Sequence, residues 1–112
     1  MIRIFYFLLL TGFVLSQYTN PVFAQGGSHG DLSKGRAIAD QYCARCHNVT
    51  EQGVSPFQPA PPFREFASRW PLENLEEALA EGISVGHEAM PEFQLSIDEI
   101  DDLMSYIRSL NP

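Results

Sequence analysis

Two cysteines and a histidine stand together in Cys43-Ala44-Arg45-Cys46-His47. On a helical turn, residues three apart share one side, so both thiols project together and the imidazole follows directly. Thiols so placed can add to the two vinyl groups on one edge of a porphyrin while the histidine reaches its iron. Cys-x-x-Cys-His therefore reads as an attachment signal for haem c, one per chain, bound covalently through Cys43 and Cys46. Other chemistries fit this pattern less well. A thioredoxin-like dithiol needs a βαβ setting, and no strand pattern surrounds this one. A zinc site needs a second ligand cluster, and the chain offers only the scattered His29 and His87. A disulfide between Cys43 and Cys46 would close too small a loop to add much order.

An iron held by His47 takes a second axial ligand. Met1 aside, the methionines are Met90 and Met104. Met104 falls within an apolar helical stripe, where packing is its expected work. Met90 lies instead in the loop His87-Glu88-Ala89-Met90-Pro91-Glu92-Phe93, where Pro91 stiffens the backbone. The expected metal ligands are thus His47 and Met90. His87 is the rival; a second imidazole would favour Fe(III) and lower the potential. It reads as a solvent-facing loop residue, and His29 as neither ligand nor core.

Helices must position these groups. Asp31 can cap a helix through about Tyr42, with Leu32, Ile38, Ala39 and Tyr42 at helical spacing. Asn48 to Pro62, with four prolines, must be loop. Phe63 to Ala67 can form a short helix beginning at Pro62. Pro71 can start another through Ala80, with Leu72, Leu75 and Leu79 on one face and Gly82 as its stop. Ile83 to Leu95 reads as irregular. Ser96-Ile97-Asp98-Glu99 is a capping box, and Ile97, Ile100, Leu103, Met104, Ile107 and Leu110 follow at the helical period. Three or four short helices with long loops make an all-α domain.

The N-terminus has the three-part layout of a secretory signal: Arg3, an apolar run from Ile4 to Leu15, then Val22-Phe23-Ala24 before Gln25. A membrane span needs roughly 20 apolar residues, more than this run provides. The expected organisation is a cleaved signal peptide over 1–24, a flexible lead-in over 25–30 and one haem-binding domain over 31–112, with no membrane span once the leader is removed. Covalent haem attachment takes place outside the cytoplasm, so the leader and the motif agree on a periplasmic location. The formal charge of −7 argues against a nucleic-acid binder, which needs a basic stripe. With 45% hydrophobic residues the chain is too apolar to be disordered throughout. So short a domain buries a thin core, which a macrocycle would fill.

On these residues the chain resembles class I cytochromes c, over nearly all of residues 31–110. Gly35 stands where that family has the glycine at which the first and last helices cross. Leu103 and Tyr106 occupy the places of its aliphatic–aromatic contact for that crossing. Met90-Pro91 is similar to its methionine-proline loop, and Pro61-Pro62-Phe63 to its proline-x-leucine stretch. The resemblance implies the cytochrome c fold around the haem, with the Pro61 carbonyl accepting from the ring of His47. It also implies that Trp70 reaches a haem propionate, a role open to Arg64 and Arg69 as well. Two features depart from the family. Ala39 stands where an aromatic is common, with Tyr42 as a candidate for that volume. Lys34 is the sole lysine, so the lysine ring of mitochondrial relatives is missing.

With both axial positions filled, iron can only change its oxidation state, which implies a one-electron carrier rather than an enzyme. Met90 sulfur and a low-dielectric pocket both favour Fe(II) and raise the potential. Expected partners are redox proteins: a quinol-side complex or dehydrogenase as donor, an oxidase or reductase as acceptor. Ten of the 14 acids lie between Glu73 and Asp102, after Lys34, Arg36, Arg45, Arg64 and Arg69. Such a run is ordinarily a solvated face; the functional reading is a dipole whose basic side steers toward an acidic partner. Two alternatives have distinct signatures. A haem enzyme or gas sensor with a labile sixth ligand would be high-spin, and a dedicated dehydrogenase subunit would co-purify with its enzyme.

Overall fold

Asp31 opens the first helix. Its carboxylate accepts from the amides of Ser33 at 2.8 Å and Lys34 at 3.0 Å, two of the four that an α-helix leaves unpaired at its start. In this computed structural model, which describes residues 30–82 and 90–112, that helix is α1, Leu32–Tyr42. The sequence next places a short helix at Pro62; the structure divides it into a 3-10 turn, Phe63–Glu65, and α2, Phe66–Arg69. Helix α3 spans Leu72–Glu81 and stops at Gly82, whose φ of 71° suits glycine. Helix α4, Ile97–Ser109, begins with the full capping box of Ser96 and Glu99. No strand occurs among the described residues, and the domain is all-α. The expected leader, His29 and His87 lie outside the described residues.

The architecture is a crossing of α1 over α4, with α3 packed beside α4. A Cβ on Gly35 would meet the carbonyl of Asp102 and lie 2.8 Å from Tyr106 Cβ. Gly30 makes a second such approach, to the backbone of Asp101 and Asp102. Between them, the Asp31 N–H donates to Asp102 Oδ1 at 2.6 Å. These contacts need glycine because backbone meets backbone, with no room for a side chain.

Behind the crossing, Ile38 and Ala39 from α1 meet Ile100, Leu103, Met104 and Ile107 from α4, joined by Leu72, Leu75 and Leu79 from α3. Burial of each such large side chain is worth about 1.5–3 kcal/mol. Two residues counted with the apolar stripes are not in this core: Leu32 and Ile97 are 52% and 83% exposed. Each is the first residue of its helix. Tyr42 does not fill the space beside Ala39, as the sequence suggested. Its ring sits edge-on to Phe93, centroids 5.9 Å apart, while Ala39 and Met104 are both fully buried. No helix among the described residues is long and apolar enough to cross a membrane.

Candidate functional site

The end of α1 does not release the chain at once. The amide of Cys43 bonds Ala39, and those of Cys46 and His47 both bond the Cys43 carbonyl at 3.1 and 2.9 Å. This extra turn sets Cys43 and Cys46 as half-buried free thiols on one wall and turns His47 inward, where it is buried. Burial, reinforced by the neighbouring Cys46, pushes the Cys43 thiol up to about 12. The Nδ1–H of His47 donates to the Pro61 carbonyl at 2.7 Å. A carbonyl can only accept, so the proton sits on Nδ1 and Nε2 is the nitrogen suited to a metal. Phe63 and Phe66 pack on the imidazole at centroid distances of 5.7 and 5.6 Å.

These residues face a cavity of about 1000 Å³ that Cys43, Cys46, His47, Pro61, Trp70 and Met90 all line. Leu75, Leu79, Leu103 and Ile107 make its walls apolar. Met90 therefore meets the attachment motif across one space, although it follows α3 in the chain. Trp70 stacks on Phe66 at 5.6 Å and an angle of 28°. Arg69 lines the cavity and pairs with Glu65 at 2.6 Å. Arg64 is not among the lining residues. It donates to the Gly53 carbonyl at 2.7 Å and more loosely to Asn48 Oδ1, so it braces the loop after the motif rather than facing a haem carboxylate.

Two asparagines that the sequence did not single out hold the frame. Asn48 donates its amide to Ser55 Oγ, accepts on Oδ1 from the amide of Thr50, and accepts on its carbonyl from Phe63 N–H at 2.9 Å. Asn111 bonds the backbone of Phe63 and Ala67 from beyond the end of α4. Their signal in the sequence is weak, because asparagine is an ordinary loop residue and Asn111 has partners distant in the chain.

The lining suits a porphyrin. The cavity lies at the upper end of the range that buries drug-sized ligands, about 300–1000 Å³. Its apolar walls match the macrocycle, the two thiols stand together at one edge, and an imidazole nitrogen and a thioether supply soft and borderline donors for iron.

A family model described as Cytochrome c matches residues 32–111. Cytochrome c-552 of Bradyrhizobium diazoefficiens is 34% identical over 82 residues, covering 73% of this chain and 77% of that protein. No solved structure matches. Since the matched span runs from the first residue of α1 to Asn111, taking in every described helix and the whole attachment motif, the chain belongs to the cytochrome c family of electron carriers with covalently bound haem c.

Proposed function

We propose that the protein carries single electrons in the periplasm, with haem c fixed to Cys43 and Cys46 and its iron held by His47 and Met90. The observation that carries this reading is that the motif and Met90 line one apolar cavity. The haem supplies the one-electron couple; the chain sets how readily it turns over. Pro61 holds the imidazole of His47 in the metal-binding tautomer and raises its basicity. Met90 contributes a soft thioether that favours the reduced state, and the apolar lining disfavours added positive charge. Trp70 and Arg69, at the cavity, are the candidates for the haem carboxylates.

With two protein ligands the centre has no position for a substrate, so the activity is transfer and not turnover of a small molecule. The signal-like segment over 1–24 supports export and removal of the leader. Donor and acceptor are then redox proteins of the envelope, on the quinol or dehydrogenase side and the oxidase or reductase side.

Met90→Ala tests the ligand set. The variant should retain covalent haem, lose the weak far-red absorption of a methionine–Fe(III) bond, and fall in midpoint potential by a clear part of the ~0.8 V over which axial ligands tune haem. An unchanged potential would remove Met90 from the iron. A wild-type ferric spectrum that is already high-spin would favour the haem enzyme or sensor instead.

A further inference from the structure

The four-residue α2 has no side chain of its own to cap its first turn. One comes from 44 residues away: Asn111 Oδ1 accepts from Ala67 N–H at 3.1 Å. The same side chain donates through Nδ2 to the Phe63 carbonyl at 2.9 Å and to the Ile107 carbonyl at 2.8 Å. Two carbonyls can only accept and one amide can only donate, so the orientation of the Asn111 amide is dictated by its partners. It thereby ties the 3-10 turn and α2 to the last turn of α4.

The segment from Pro61 to Phe66 meets His47 at three places. The Pro61 carbonyl, two residues before the turn, takes the Nδ1 proton at 2.7 Å, and Phe63 and Phe66 pack on the ring. Phe63 and Phe66 also pack on one another at 4.8 Å, which joins the turn to α2. The hydrogen bond to Nδ1–H governs how strongly the imidazole donates to a bound metal. A stronger donor favours Fe(III) and lowers the potential.

We propose that Asn111 is a positioning residue for the axial imidazole: by clamping the turn to α4 it sets the Nδ1–H···Pro61 bond and, through it, the potential. The proposal rests on His47 ligating the haem iron, as argued above. In this scheme Asn111 acts through the backbone of Phe63 and Ala67.

The test uses the ferrous holoprotein, which is diamagnetic, and follows the His47 Nδ1 proton by NMR beside the midpoint potential. In Asn111→Ala that proton should exchange with solvent at least tenfold faster, its resonance should move upfield, and the potential should rise. Asn111→Asp offers a rescue: its protonated carboxyl can still donate to Phe63 and accept from Ala67. It should approach wild type as pH falls through its titration and Asn111→Ala above it. Asn111→Asp at low pH also decides the matter if the alanine variant does not fold. Ser96→Ala, which loses the cap at the opposite end of α4, is the control that lowers stability without moving proton or potential.

Loss of stability in Asn111→Ala with the Nδ1 proton and potential unchanged would overturn the proposal and leave the ligand assignment standing. A different result marks failure of that assignment. If the His47 ring protons of wild type lack the large shifts of a group seated on a haem face, His47 is not the ligand and both ideas fall together.

Discussion

Tyr106 shows how one side chain can serve two parts of the fold. Its Cβ lies against Gly35 at the helix crossing, while its buried hydroxyl donates to the Val49 carbonyl at 2.7 Å. Val49 follows the attachment motif by two residues, so the bond fixes the chain leaving His47. Tyr106→Phe keeps the ring and strands a buried carbonyl, which should cost about 1–3 kcal/mol of unfolding free energy in denaturant titration. Burial, above all, holds the phenol above its ordinary value of 10.0. A raised folded value means that the contribution is whole below the unfolded value and is lost as pH rises through the folded one. Wild type should therefore weaken on titration above pH ~10, and Tyr106→Phe should weaken less.

The helices differ in how far they can be read from the sequence. Asp31 and Ser96 bond amides two and three residues away, and Gly82 ends α3 by its own backbone. Such signals are local, so the starts and stops of α1, α3 and α4 are legible in sequence. Gly35 was legible only by resemblance, since nothing near it in the chain announces a crossing, whereas Met90 was legible from the chemistry of a haem iron that needs a second ligand and from its place in a loop. Asn111 and Arg64 were not legible as supports. Their partners lie 48 and 11 residues off, and the choice between bracing a loop and facing a haem carboxylate is made by tertiary packing. Tyr42 likewise has the spacing of a core residue, but it stands on the turn that faces the cavity. The crossing itself gives a sharp expectation. Gly35→Ala would put a methyl onto the Asp102 carbonyl, and backbone cannot swing aside as a side chain can. The loss should reach or exceed the ~1–3 kcal/mol of an overpacked core, seen as a lowered denaturation midpoint with unchanged m-value.

Across the whole molecule, acidity and stability are linked through the two helix starts at which a carboxylate bonds backbone amides, those of α1 and α4. Asp31 is held below its ordinary value chiefly by the Lys34 amide, and Glu99 chiefly by the Ser96 amide. For a depressed carboxylate the stabilisation is present above the unfolded value and disappears as pH falls through the folded value. Thermal midpoints should therefore hold level from pH 7 to about 5 and decline below about 4. Asp31→Asn and Glu99→Gln should each flatten that decline. The chain's 14 acids, ten of them between Glu73 and Asp102, set against seven basic residues give it its charge of −7.

The pairing of Gly30 and Gly35 with the backbone of Asp101 and Asp102 has one more consequence. A junction made by main chain against main chain is indifferent to how much polypeptide runs between its two halves. Doubling a flexible connection costs only about 0.6 kcal/mol in closure entropy. Extra residues spliced into a connection that braces nothing should thus be absorbed as surface growth, whereas an insertion at Gly53–Ser55, which Arg64 and Asn48 bond, or between Pro61 and Ala67 would shift the seat of the imidazole. The same framework can vary in girth while its electronic centre stays put.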